Sequence, residues 1–248
     1  MTKASKRPRR AMVLAAGYGL RMRPLTDKLP KPLIEVQGEP MIDTIIGRLA
    51  RAGVECVVVN LHHMGDKIEA HLKARKRPRI LFSHEKTILE TGGGVAKALR
   101  HFADEPFFVV NGDVCWLDGQ VPALERLAEG WDDALMDALL LLEPTAYAFG
   151  YDSNAGDFIM DPEGRLRRRH ELEVAPFLFA GIQILHPRLF DGAPDGAFSL
   201  NLLYDRAEEA GRLWGLRHDG KWFHIGTPEA LTEAEESLHY LTAPTGDK

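Results

Sequence analysis

The sequence predicts an α/β protein: a mainly parallel central sheet flanked by helices, with a small lid-like sheet in its second half. Three observations lead there. Strand and helix patterns alternate through the first half, which implies parallel strands joined by crossover helices. Segments 11–16, 54–60 and 107–110 are almost continuously apolar, as strands buried on both faces are. Beyond about residue 136 the pattern changes to short strands separated by turns, including Asp161-Pro162-Glu163-Gly164.

Taken in order, residues 11–16 (Ala-Met-Val-Leu-Ala-Ala) form the first strand. Pro24, Pro30 and Pro32 forbid a helix directly after it, and 33–36 gives a short strand. Pro40 starts a helix with Met41, Ile42, Ile45, Ile46 and Leu49 on one face, and Gly53 stops it. A buried strand at 54–60 leads to a helix at 66–74, with Ile68 and Leu72 inward, and a strand at 80–82. A helix spans 95–102. The strand at 107–110 then delivers Asn111-Gly112-Asp113 at its carboxyl end, where open α/β sheets collect ligands. Short strands follow at 139–142, 146–151, 157–160 and 165–168, then a long apolar strand at 177–185 and a helix at 200–210. A last helix, 228–241, is capped by Thr227 with Pro228 at its first position. The chain thus divides into a basic tail, 1–10, and one domain, 11–241.

With 248 residues the chain can bury a substantial core. A net charge of -5 argues against a nucleic-acid partner. Basic clusters at 3–10, 75–79 and 165–169 read as a tail and as solvated edges. Cys56 and Cys115 lie in apolar segments without metal or disulfide spacing, so buried reduced thiols are expected. No apolar run reaches the roughly eighteen residues of a membrane span, and 12–16 is too short for a signal-peptide core. A cytoplasmic protein is expected, monomeric or a small homo-oligomer, with no membrane partner.

The most informative stretch is Leu14-Ala15-Ala16-Gly17-Tyr18-Gly19-Leu20-Arg21-Met22-Arg23-Pro24-Leu25-Thr26, closed by Pro30-Lys31-Pro32-Leu33. Gly17 and Gly19 let backbone amides approach a ligand closely, and exposed amides suit phosphate oxygens. Arg21, Arg23, Lys28 and Lys31 stand on a proline-stiffened loop, not along a helix face. Long irregular segments inside a compact domain are usually functional, and this one reads as a polyphosphate clamp. It is not a dinucleotide fingerprint, because Met22 replaces the third glycine and Pro24 follows. A Walker A loop is absent too. A plain glycine turn with solvated arginines does not account for a pattern about twenty residues long.

These residues resemble the signature of sugar-1-phosphate nucleotidyltransferases. The resemblance covers nearly the whole chain, through Glu90-Thr91-Gly92-Gly93-Gly94, Val110-Asn111-Gly112-Asp113, Phe179-Ala180-Gly181-Ile182 and Trp222-Phe223-His224-Ile225-Gly226-Thr227-Pro228. It implies a Rossmann-like nucleotidyltransferase fold with a nucleotide half (about 11–135), a sugar-binding half with a sugar-side lid sheet (about 136–227) and a C-terminal helix (228–241). The substrates implied are a nucleoside triphosphate and a sugar-1-phosphate, and the cofactor is Mg²⁺. Glu90 to Gly94 and the short length are most similar to members that transfer uridylyl to N-acetylmuramate-1-phosphate in cell-wall recycling. Guanylyl transfer to mannose-1-phosphate is the alternative within the family. A catalytically silent sugar-nucleotide-binding subunit is the alternative of another class.

By this resemblance Arg21 and Lys31 are the catalytic cations. Leu14, Ala15, Ala16, Gly17, Gly19, Glu90, Gly92, Gly93 and Asn111 bind the nucleotide, with Glu90 to Gly94 at the base. Asp113 holds the metal, Gly181 approaches the sugar, and Asn154, Asp157 and Asn201 are further sugar candidates. Gly181, inside an apolar strand, also marks a bulge or close approach. Two departures stand out. His224 replaces the aspartate expected as a second metal ligand, and imidazole matches Mg²⁺ poorly. Arg168-Arg169-His170-Glu171 replaces the Glu-Lys-Pro element of larger relatives, so contacts on that side do not carry over.

Overall fold

In the computed structural model, which describes residues 7–151 and 155–242, strand β1 (Arg10–Leu14) lies inside a nine-stranded sheet. A small hairpin follows, β2 (Glu35–Val36) and β3 (Glu39–Pro40). Next come helix α1 (Met41–Arg51), β4 (Cys56–Leu61), α2 (Gly65–Leu72), β5 (Arg79–His84), α3 (Glu90–Ala98) and β6 (Phe107–Asn111). Strands β5, β4, β1 and β6 are neighbours in that order and run parallel. Their apolar continuity has a direct cause. Ala11 and Val13 pack with Ile42, Ile45, Ile46 and Leu49 of α1 on one face, while Met12 packs with Val95 and Ala98 of α3 on the other. Both faces are dry at the centre of the sheet, so the middle positions of β1, β4 and β6 are apolar.

The second half adds β7 (Val114–Leu117), α4 (Ala123–Gly130), β8 (Ala138–Pro144), β9 (Phe158–Met160), β10 (Leu166–Arg168) and β11 (Phe177–Leu185). Helix α5 (Asn201–Glu209), β12 (Leu213–Arg217), β13 (Lys221–His224) and α6 (Pro228–Thr242) complete it. β11 lies antiparallel to β6, carries β8 on its other side, and β12 runs parallel to β8. Of the short strands expected in a lid sheet, 139–142 falls in β8 of the central sheet, and the hairpin β9–β10 extends that same sheet through the Phe177–Phe158 pair. β13 pairs with β7 in a separate ribbon. Helix α6 packs Ala234 and Leu238 against Met22, Ile34, Phe223 and Ile225, which supports the glycine loop from behind. Its cap is the expected one, with Thr227 Oγ1 accepting from Ala230 N at 3.2 Å. No helix among the described residues is long and apolar enough to cross a membrane.

Several boundaries differ from those expected. Residues 31–33 form a 3₁₀ turn, and only Glu35–Val36 is extended. Residues 145–147 make another such turn instead of a strand. Helix α3 starts at Glu90 and not at Val95, so the three glycines lie inside it. Low intrinsic propensity is overridden there by packing, because Phe198 O accepts from both Gly92 N and Gly93 N at 2.8 and 3.1 Å. A Cβ at Gly92 would stand 2.3 Å from the Phe198 ring, and one at Gly93 only 2.1 Å from Gly196 O. In the basic N-terminal segment, residues 1–6 lie outside the described residues, whereas Arg7 pairs with Glu129, Arg9 pairs with Glu55, and Arg10 already belongs to β1. Cys56 and Cys115 are free thiols, each half-buried.

One buried charge sits at odds with this core. Glu143 of β8 is 1% exposed, and its Oε2 has no hydrogen-bond partner among the described residues. Burial pushes its carboxyl from the ordinary 4.5 up to about 7, against the pull of Lys221 and Arg217.

Two stability measurements follow. The folded chain keeps a proton on Glu143 that the unfolded chain loses, so stability falls as pH rises from about 4.5 to about 7 and stays low above it. Urea midpoints for Glu143→Gln should lose that descent; an unchanged slope refutes the assignment. Gly92→Ala should cost about 1–3 kcal/mol by overpacking against Phe198, and a shift under about 0.5 kcal/mol refutes the close contact.

Candidate active site

The carboxyl ends of β1 and β6 open onto a cavity of about 680 Å³. Gly112 N donates to Leu14 O at 2.8 Å, which draws the two strand ends together. Only glycine permits this, because a Cβ at Gly112 would lie 2.7 Å from Leu14 O. The loop after β1 then folds as three successive 3₁₀ turns, Leu20–Met22, Leu25–Asp27 and Lys31–Leu33. Gly19 takes φ +62°, and its carbonyl accepts from Met22 N at 2.9 Å and from buried Thr26 Oγ1 at 2.8 Å. The prolines therefore do exclude an α-helix. They stiffen a chain of tight turns that swings Lys31 back toward β6.

Lys31 is 8% exposed, and its Nζ contacts Asp113 Oδ2 at 2.7 Å. A buried ammonium needs a partner, and the carboxylate just past β6 supplies it. Arg21 lines the same cavity from the exposed first turn and makes no ion pair among the described residues. Gly226 marks where Arg21 meets the β7–β13 ribbon. A Cβ there would fall 2.6 Å from His224 Nε2 and 3.5 Å from Arg21 Nη1. In that ribbon His224 is the register partner of Val114, the residue after Asp113. Strand pairing thus brings segments 113 and 224 together.

Leu14, Ala15, Ala16, Gly17, Gly19, Arg21, Lys31, Glu90, Asn111 and Asp113 all line the cavity. Gly17 is open, since a Cβ there meets nothing within 4 Å. Gly92 and Gly93 depart from expectation. Their missing side chains make room for Phe198 and Gly196, while Glu90 and Thr91 face the cavity. Gly181 sits at a register shift between β11 and β8 with φ +75°. A Cβ on it would strike Val114 at 2.5 Å and Asn111 Nδ2 at 3.0 Å, so the bulge seats Asn111. Asp157 and Asn201 line a second cavity, of about 590 Å³, and Asn154 lies outside the described residues.

The sequence reading missed a buried polar bridge. Asn60 Oδ1 accepts from Ala15 N at 2.7 Å, and its Nδ2 donates to Glu85 Oε1 at 2.7 Å. Glu85 Oε2 in turn accepts from Leu89 N at 3.0 Å. Two segments of the cavity wall are thereby tied through a pair only 2% and 6% exposed. Gly94 leaves room for the pair, since a Cβ on it would lie 3.0 Å from both side chains. His62 Nδ1 contacts Glu85 O at 2.9 Å, and its Nε2 meets Tyr18 OH at 3.3 Å. One signal was available in the sequence: a polar Asn60 closing the apolar run Val57-Val58-Val59 at a strand's carboxyl end.

The geometry gathers cations, exposed glycine backbone and the carboxylates of Asp113 and Glu90 around a single opening. A family model described as nucleotidyl transferase matches residues 10–157. The chain belongs to that family. Over 239 residues it is 41% identical to N-acetylmuramate alpha-1-phosphate uridylyltransferase of Caulobacter vibrioides, covering 94% of this chain and 98% of the relative. The protein of that name from Neisseria meningitidis serogroup B is 36% identical, over 91% of this chain and 96% of the relative. A UDP-glucose pyrophosphorylase solved with UDP-glucose superimposes with a TM-score of 0.76 at 17% identity, covering 94% and 99% of the two chains. This member of the family thus shares the expected fold, and it is a nucleotidyltransferase.

Glu85→Gln tests the bridge. A glutamine has one acceptor oxygen for the two donors Asn60 Nδ2 and Leu89 N, so one is left facing an amide nitrogen. A loss of about 1–3 kcal/mol is expected, with weaker nucleotide binding by titration calorimetry. Unchanged stability and affinity would remove Glu85 from any supporting role.

Proposed function

We propose that this enzyme transfers uridylyl from UTP to N-acetylmuramate-1-phosphate, giving UDP-N-acetylmuramate and pyrophosphate. The observation that carries the reading is the convergence of Arg21, Lys31 and Asp113 on the glycine-lined cavity. The uridine and the sugar are supported by the 41% and 36% identical relatives, which carry that activity in their names. In this reading the protein serves cell-wall recycling in the cytoplasm, where UTP is available.

An oxygen of the sugar phosphate attacks the α-phosphorus in line as the bond to pyrophosphate breaks. The second pKa of a phosphate monoester is about 6, so this nucleophile is ionised near neutral pH without a general base. Catalysis then consists of positioning and charge stabilisation. Lys31 serves the α-phosphate and the incoming phosphate, and Arg21 serves the leaving pyrophosphate. The backbone of Ala15 to Gly19 follows the triphosphate. Asn60 fixes Ala15 within that path.

The donor set fits a hard cation that takes one protein carboxylate and completes its shell with phosphate oxygens and water. Asp113 faces the cavity with its side chain 39% exposed, and no cluster of three metal-ligating side chains occurs among the described residues. Asp113 would hold Mg²⁺, which when bound neutralises phosphate charge. His224, beside Arg21, stays outside this ligand set.

Pyrophosphate release over a grid of nucleoside triphosphates and sugar-1-phosphates tests the reading. UTP with N-acetylmuramate-1-phosphate should dominate, and a tenfold preference for another pair removes the substrate assignment. Lys31→Ala should lower turnover by about 10²–10³, as removal of other transition-state charge partners does. Near-normal turnover would place the chemistry elsewhere.

A further inference from the structure

Three successive arginines end the hairpin strand β10 and enter the following loop, and they are treated differently. Arg167 is clasped by Glu173 through two bonds of 2.8 and 2.5 Å. Arg168 pairs with Asp205 at 2.5 Å. Arg169 has no carboxylate within ion-pair distance among the described residues. Its Nε donates to Gly156 O at 2.7 Å, and its Nη1 donates to the carbonyls of His170, Glu171 and Glu173 at 3.3, 3.1 and 3.4 Å. Carbonyls hold the guanidinium in place without neutralising it.

Arg169 lines the second cavity with Phe179, Asn201 and Tyr204. Two acidic residues share that lining. Asp157 is committed to Phe179 N through Oδ2 at 2.9 Å, and Glu171 is an exposed residue of the cavity rim. Residues close in sequence line the two cavities. Ser199 lines the first and Asn201 the second, with Asn201 N bonded to Ser199 Oγ at 3.2 Å. Phe179 lines the second, and Gly181, two residues on, packs against Asn111 of the first. The Ser199–Asn201 segment thus leads from the wall of the cavity that holds Lys31 to the wall of the one that holds Arg169.

We propose that Arg169 is the specificity-determining residue for the sugar, binding a carboxylate that the sugar ring carries. The proposal rests on the sugar-phosphate reading above and deepens it. N-acetylmuramate differs from N-acetylglucosamine by a lactyl ether that ends in a carboxylate, and Arg169 Nη2, which meets no carbonyl among the described residues, can donate a charge-assisted hydrogen bond to that group. A neutral sugar leaves the half-buried cation without a counter-charge. Phosphate is a weaker fit, because both phosphate-bearing groups are already served by Lys31 and Arg21. The fixed guanidinium has little side-chain freedom left to lose on binding.

The test compares kcat/KM, with UTP, for N-acetylmuramate-1-phosphate and its lactyl carboxamide, in the unmodified protein, Arg169→Met and Asn201→Asp. The unmodified protein should prefer the acid over the amide roughly 10- to 100-fold, the size of a lost charge-assisted hydrogen bond. In Arg169→Met that ratio should collapse toward one, mainly through KM for the acid. Asn201→Asp keeps the carbonyl contacts of Arg169 and adds a competing carboxylate to the cavity. It should shrink the ratio too, and it decides the matter if Arg169→Met does not fold. An equal loss on acid and amide assigns Arg169 a purely structural role and overturns the proposal. So does a preserved ratio in both variants, or no preference in the unmodified protein. Turnover without acid preference leaves the enzyme reading intact, whereas a blank with every sugar phosphate removes both.

Discussion

A lysine ammonium held almost out of solvent against Asp113 organises this protein. Lys31 arrives at the end of a loop of tight turns, and Asp113 follows the strand next to the one that starts that loop. Their 2.7 Å contact requires β1 and β6 to be adjacent and parallel, so that both carboxyl ends open on the same side. It also requires Gly112 to let those ends touch, and Gly19 to turn the loop inward. Helix α6, from the far end of the chain, packs behind the loop through Met22 and Ile34. The core therefore bears on the site directly, by fixing which strand ends meet.

The charges around the cavity are graded by their surroundings. Lys31 is buried and paired, Arg21 is exposed and unpaired among the described residues, and Arg169, in the second cavity, meets carbonyls and no carboxylate among those residues. Each degree of neutralisation suits a different anion. A preorganised cation stabilises developing charge without reorganising at the moment of reaction. The Asn60–Glu85 bridge contributes the same kind of rigidity to the opposite wall, by tying Ala15 to Leu89 through two buried side chains. Buried polar pairs of this sort specify one arrangement when every donor is met.

Much of the site was legible in the letters, because glycines and prolines restrict backbone geometry locally. Gly17, Gly19 and Pro24 to Pro32 announced an irregular loop, and the polar triplet Asn111-Gly112-Asp113 after an apolar strand announced a strand end that faces ligand. Glycines 92 to 94 misled for the same local reason. The triple glycine put the expected helix start at 95, yet Phe198 and Gly196, more than a hundred positions away, turn it into the first turns of a close-packed helix. Glu85 was invisible because nothing near it in sequence distinguishes a buried bridging glutamate from a solvated one.

The sequence by itself determined the parallel core, the irregular glycine loop and the carboxylate at the end of β6, since periodicity and backbone restriction are properties of neighbouring residues. Tertiary structure alone decided which charges are paired. Lys31 with Asp113, Arg167 with Glu173, and Arg169 with only carbonyls among the described residues are outcomes of distances between segments of the folded chain. Three adjacent arginines look alike in a sequence, and the electrostatic free energy of each depends on what the folded chain places within about 4 Å of it.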